Sequence, residues 1–165
     1  MPSFNRILVP IDFSSPSARA LEVAIDFAKL FGAALSIVHV EQPLTVPASV
    51  PYMPPLSGLE GVTAAARAAC AEQLSEAAQQ ARAAGVSNVD TELLEGIAWC
   101  EIVDRAKRGA HDLVVIGTHG RSGVQRVLLG SVAERVVRKA PCAVLTVRPE
   151  QTAALDTATP KAMQA

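Results

Sequence analysis

Five short apolar runs alternate with four longer stretches of helical periodicity along this 165-residue chain. Arg6-Ile-Leu-Val-Pro-Ile11 reads as a buried strand, because a run this short and continuously apolar suits a strand covered on both faces. Asp12-Phe-Ser-Ser15 is the turn after it, and Ser15-Pro16 is a helix start: a hydroxyl cap followed by proline where no N–H is needed. Leu21, Ala24, Ile25, Ala28 and Phe31 then recur at helical spacing until Gly32. Strands follow at Ala34–Val40, Val89–Glu95, Asp112–Ile116 and Cys142–Val147. Helices are expected at Val62–Ala84, around Trp99, Ile102, Val103 and Ala106 with a stop at Gly109, and from Ser131 to Lys139. Strictly alternating strands and helices predict an α/β fold, a mostly parallel sheet covered on both faces. In such sheets ligands bind beyond the C-terminal strand ends, where the strand order reverses.

Residues 42–61 interrupt this rhythm. Pro43, Pro47, Pro51, Pro54, Pro55, Gly58 and Gly61 are too dense for helix or sheet, so the stretch is expected to be a loop, of a length found in lids and binding loops. The organisation expected is one domain over residues 1–148 and a polar, frayed tail over 149–165. With 15 basic against 16 acidic residues there is no basic excess of the kind a nucleic-acid or anionic-membrane binder carries. No apolar run approaches the ~20 residues that span a bilayer. Cys70, Cys100 and Cys142 are odd in number and form no CxxC pair, which suits thiols in a reducing compartment. The N-terminus lacks the pattern of a signal peptide. A cytoplasmic protein is the expectation.

The fourth strand opens into Gly117-Thr-His-Gly120, and nine residues later Gly130-Ser131 begins the last helix. Glycines let a backbone approach a ligand, and a helix N-terminus offers unpaired N–H donors and partial positive charge, so the pattern Gly-x2-Gly-x9-Gly-Ser suits a phosphate. It is not the P-loop, since no lysine stands at the helix start, nor the Gly-x-Gly-x-x-Gly dinucleotide fingerprint.

That spacing, together with Ile7-Leu-Val-Pro-Ile-Asp12, Asp112-Leu-Val-Val-Ile-Gly-Thr-His-Gly-Arg121, Gly130-Ser-Val-Ala-Glu-Arg-Val136 and Ala140-Pro-Cys-Ala-Val-Leu-Thr-Val147, resembles the universal stress protein family from about Arg6 to Arg148. The resemblance implies an open five-stranded parallel sheet in the order 3-2-1-4-5, Rossmann-like, with Asp12 and Gly117 at adjacent strand ends. Family members divide into those that bind ATP and those that do not, and the complete glycine pattern marks the binders. By resemblance Gly120, Gly130, Ser131 and Val132 would cradle the phosphates, and Gly117 would pack on the ribose and adenosine side. Asp12 would hold the ribose or a divalent ion, and Pro10 and Val40 would frame the adenine. The resemblance also implies a homodimer through an antiparallel pairing of strand 142–147. The chain departs from the family at Gly96-Ile-Ala98, where many members have Gly-x-Pro, and in the Trp99 that follows.

Each residue also has a plainer reading. Asp12 can be a turn carboxylate or helix cap, and Thr118 belongs to the same loop set. Arg121 and Arg126 can neutralise phosphate charge or be solvated. His119 can touch phosphate or carry a proton. His39 and His111 are expected to be structural, and Trp99 to lie in a core or interface. The function expected is a nucleotide-dependent stress sensor or regulator that binds ATP, with magnesium held through the phosphates, and acts on an unidentified protein partner. A slow ATPase or phosphotransferase using the same site, and a dimeric module with a vestigial site, are the alternatives.

Overall fold

The computed structural model describes residues 3–42, 59–118 and 129–148, the side chains of 59–62 excepted. Its elements run β1 (Arg6–Pro10), α1 (Ser15–Phe31), β2 (Ala34–Glu41), α2 (Leu59–Ala83), β3 (Val89–Glu95), α3 (Ala98–Arg108), β4 (Leu113–Gly117), α4 (Ser131–Lys139) and β5 (Ala143–Val147). The strands form one sheet in the order β3-β2-β1-β4-β5, every pair parallel. Element order, sheet order and strand direction all match the expectations from sequence.

Strand β1 is central, and Ile7, Leu8 and Val9 are fully buried. Alternate residues feed two separate cores. Ile7 and Val9, with Leu35, Ile37, Leu113 and Val115, meet α1 and α2 through Leu21, Ile25 and Leu74. Leu8, with Val38, Val114 and Ile116, meets α3 and α4 through Ile102, Ala106 and Val136. Burial stabilises each such aliphatic side chain by ~1.5–3 kcal/mol, so the continuous apolar run of β1 is what a strand between two helical layers requires. Helix α1 ends as expected at Gly32, in the left-handed conformation (φ 64), and the N–H of Ala33 turns back to the carbonyl of Ala28 at 2.9 Å.

Two helix starts differ from the expectation. Helix α1 has Ser14, not Ser15, as its N-cap, and no side-chain hydroxyl caps it; Ser15 and Pro16 are its first two residues, where proline costs no hydrogen bond. Helix α2 starts at Leu59, inside the predicted loop, and Gly61 lies in its first turn. The last proline of the stretch is Pro55, and first-turn N–H groups need no intrahelical partner, so a glycine there interrupts nothing. Residues 43–58 and the expected tail 149–165 lie outside the described residues.

Two devices fix the strand ends. The Asp112 carboxylate accepts the N–H groups of Asn5 (2.7 Å) and Arg6 (3.1 Å), stapling the start of β4 to the start of β1. That staple sets the Ile7–Leu113 register, and so fixes which residues of β1 and β4 emerge together at the other end. On the α3 side, Arg105 bridges Asp90 (3.1 Å) and Glu92 (2.5 Å) of β3, and Asp90 accepts the hydroxyl of Ser36 at 2.8 Å. Arg105 thereby ties α3 to the sheet.

Candidate functional site

At the C-terminal ends of β1, β2 and β4 lies a crevice of about 370 Å³, within the range of small-molecule sites. Strand β1 contributes Pro10 and, just beyond it, Ile11 and Asp12; β2 contributes His39 and Val40; β4 contributes Ile116 and Gly117, followed by Thr118. Three helices begin at its rim, giving Ser17 from α1, Ala98 and Ile102 from α3, and Gly130 to Ala133 from the start of α4. Of the residues predicted from sequence, the structure brings together Pro10, Asp12, Val40, Gly117, Thr118, Gly130, Ser131 and Val132. His119, Gly120, Arg121 and Arg126 lie outside the described residues.

The two sides of the crevice differ in character. Val40, Ile102, Ile116, Val132 and Ala133 also belong to the core beneath α3 and α4, so that side is an apolar slot. Asp12, Ser17, His39 and Thr118 make the other side polar. The start of α4 closes the end. Gly130 is its N-cap in extended conformation (φ −67, ψ 155), and no side chain caps the helix. The N–H of Gly130 bonds the Thr118 carbonyl at 2.6 Å, and its own carbonyl takes the N–H of Glu134 at 2.9 Å, so the first turn is held in place. The first-turn N–H groups of Ser131, Val132 and Ala133 have no intrahelical acceptor, and the helix dipole adds partial positive charge. A side-chain cap would compete with an anion for these donors; a glycine does not.

The β1–α1 turn is knit internally. One Asp12 oxygen accepts the N–H of Ser14 at 3.1 Å and, in a short contact, the Ser14 hydroxyl. Asp12 therefore acts as a turn carboxylate ahead of α1, one of its plainer readings, while still lining the crevice; no side chain caps the helix itself. The Ser17 hydroxyl accepts the N–H of Asp12 at 3.3 Å and donates to the carbonyl of Ser14 at 2.9 Å. Phe13 between them has φ 62, a region costly for a residue with a β-carbon. Its ring lies 4.5 Å from that of His39, which holds the carbonyl of Ile11 at 2.7 Å.

Seven lining residues were not predicted as site residues, among them Ile11, Ile116 and Ala133, which continue predicted segments. His39, expected to be only structural, is 7 % exposed and lines the crevice. Ser17, Ala98 and Ile102 were not singled out as site residues. The helical face containing Trp99, Ile102 and Val103 marked the buried side of α3, but nothing in the spacing says that its first turn reaches the β1–β4 crevice. Trp99 itself packs against the core beneath α3 and α4 as expected, with the Arg135 guanidinium 5.7 Å above its ring. Among the described residues, no group of three or more His, Cys, Asp or Glu could hold a metal ion. No described helix is long and apolar enough to cross a membrane.

The family model for the universal stress proteins matches residues 3–148. The chain belongs to that family. A universal stress protein of Methanocaldococcus jannaschii, MJ0531, is 36% identical over 148 residues, covering 88% of this chain and 82% of the relative. The solved structure of the universal stress protein UspA from Lactobacillus plantarum superimposes with a TM-score of 0.78 at 29% identity, covering 90% of this chain and 100% of that one. Two further universal stress proteins similar to this chain were solved with nucleotides. One, in complex with cAMP, has a TM-score of 0.64 at 26% identity, covering 90% of this chain and 100% of that one. The other, from Archaeoglobus fulgidus in complex with dAMP, has a TM-score of 0.58 at 25% identity, covering 89% and 99%.

Proposed function

We propose that this universal stress protein binds an adenine nucleotide, ATP above all, in the crevice between β1 and β4, and that it acts as a nucleotide-dependent sensor in the cytoplasm. The observation that carries the reading is the start of α4: a glycine N-cap, no capping side chain, and first-turn N–H groups closing a crevice that has an apolar slot along one side. The base fits the slot lined by Val40 and Ile102, and the phosphates fit Gly130, Ser131 and Val132. The cAMP and dAMP complexes of similar proteins support the adenosine-phosphate part of the reading. Magnesium would arrive with the phosphates.

Binding without rapid turnover is the better reading because the titratable lining residues are both engaged in the β1–α1 turn. Asp12 accepts both the N–H and the hydroxyl of Ser14, and His39 holds the Ile11 carbonyl, so both groups are used in holding that turn. Calorimetric titration with ATP, AMP and cAMP, with and without magnesium, tests the proposal. Micromolar ATP binding that Gly130→Val abolishes, with negligible hydrolysis in the absence of a partner, is the expected result. No heat with any of the three nucleotides overturns the binding reading, and fast hydrolysis overturns the sensor reading.

A further inference from the structure

His39 is nine-tenths buried, lines the crevice, and uses only one of its ring nitrogens. Its Nδ1 lies 2.7 Å from the carbonyl oxygen of Ile11. A carbonyl can only accept, so Nδ1 carries the proton, and in the neutral ring Nε2 is a bare acceptor. Nε2 meets no partner among the described residues, and it is not sealed from solvent as the Nδ1 of His111 is. With 7 % of the residue exposed, and that residue in the crevice wall, the space Nε2 can reach is the crevice. An acceptor open only toward the crevice takes its donor from whatever fills the crevice. This one is also held rigidly, with Phe13 tilted across the ring at 4.5 Å and the Ile11 N–H tied to Val38 at 2.8 Å.

We infer that His39 Nε2 accepts a hydrogen bond from a ribose hydroxyl of the bound nucleotide, so that His39 is a specificity-determining residue for the sugar. The assignment rests on the nucleotide reading above and goes beyond it. Strand alternation supports the sugar over the base. Val40 faces the apolar slot beneath α3 and α4, whereas His39 points to the opposite side, toward the turn carrying Asp12 and Ser17. A base in the slot leaves its sugar beside that turn. The Nδ1 bond to Ile11 gives the same residue a second task, setting the path of the chain into Asp12.

The His39→Asn variant separates the two tasks. An asparagine amide can place an N–H where Nδ1 stands, keeping the Ile11 bond, and has no atom at Nε2. The test is calorimetry at pH 8 with ATP, 2′-deoxy-ATP, 3′-deoxy-ATP and ITP on the parent and the variant, each checked by thermal melting. The expected result is a variant that melts close to the parent and binds ATP about 3–10-fold more weakly, the loss of one hydrogen bond. The parent should lose a similar factor on one deoxy analogue, and the variant should lose nothing further on it. Equal ATP affinity in parent and variant, losses that simply multiply, or coupling to ITP rather than to a sugar analogue would each overturn the assignment while leaving nucleotide binding intact. A parent that binds no adenine nucleotide removes both readings. Should the variant melt early, the ¹⁵N shift of His39 Nε2 in the parent provides the readout: movement on adding ATP but not on adding the responsive deoxy analogue supports the assignment, and an unchanged shift with ATP refutes it.

Discussion

Gly117 stands against the carbonyl of Pro16: a β-carbon at residue 117 would lie 3.0 Å from the Pro16 oxygen and 3.1 Å from its carbonyl carbon. By resemblance the glycine was expected to make room for the sugar of a nucleotide. The contact shows that it also makes room for α1, because the obstructing atoms are backbone and lie in the first turn of that helix. The same turn carries Ser17, which organises Asp12. A single missing side chain therefore sets how closely the two halves of the crevice approach.

Gly117→Ala should destabilise the protein by ~1–3 kcal/mol, the usual cost of forcing an extra carbon into a packed site. Urea denaturation should show a lower midpoint at unchanged slope, since the folded state and not the exposed area is altered. Nucleotide affinity should fall as well, because α1 can yield only by moving Ser17. An alanine variant as stable as the parent would mean that the β4–α1 contact is looser than the structure places it.

His111 gives a prediction about acid. Ser36 commits its hydroxyl proton to Asp90, so His111 Nε2–H must donate to Ser36 Oγ at 2.9 Å, leaving Nδ1 sealed and without a partner. A β-carbon on Gly109 would lie 2.2 Å from both Cε1 of His111 and Nη1 of Arg105, so imidazole and guanidinium crowd the same space. Burial first, and then the charge of Arg105, hold the His111 pKa below its ordinary value; backbone contacts at Ala106 and Arg105 oppose the shift, and Arg6 adds a smaller lowering. Unfolded, the ring takes up a proton near pH ~6.5; folded, it does so only at lower pH. Between those values the unfolded chain binds more protons, so this contribution is complete above pH ~6.5 and is lost as pH falls through the folded value. The parent should melt at a lower temperature at pH 5.5 than at pH 8. His111→Gln, which cannot take up the proton, should be less stable overall but show a smaller difference between the two pH values. An undiminished difference would place the acid sensitivity elsewhere.

The sequence revealed the scaffold and the phosphate end of the crevice more fully than it revealed the walls. Ile7-Leu-Val9, Ser15-Pro16 and Gly32 each act locally: a continuous apolar run, a helix start and a left-handed helix end carry their meaning within a few residues. Gly130-Ser131 is legible for the same reason, since a helix N-terminus is a local object. The start of α2 at Leu59 was missed because a cluster of prolines sets where a helix cannot be, not where it begins. His39 and Ala98 were missed as site residues for a different reason. Each reaches the crevice through a tertiary relation, the turn of Ile11 beneath the imidazole and the packing of α3 against β2 and α4, and neither leaves a periodic trace in the chain. His39 read as structural because a single histidine within an apolar strand usually is, and half of that reading holds in its bond to Ile11.

The last prediction concerns the edge of the sheet. Among the described residues, strand β5 pairs only with β4. Ala143 and Thr146 are exposed, Val144, Leu145 and Val147 are only half-buried, and Val137 on the neighbouring α4 is 46% exposed. An apolar edge with unpaired backbone groups favours pairing with another strand, and a two-fold axis lets a second copy of β5 supply it. On this proposal the parent sediments as a dimer. Lysines at 143 and 146, both exposed and both absent from the crevice wall, should yield a monomer by placing like charges on facing strands. Because Thr118 N–H bonds the carbonyl of Val147 at 2.8 Å, the far side of β5 is tied to the crevice. A monomer made this way should still bind ATP, with an affinity reduced by no more than a few-fold. A parent that sediments as a monomer, or an Ala143→Lys/Thr146→Lys variant that stays dimeric, would rule out this edge as the interface.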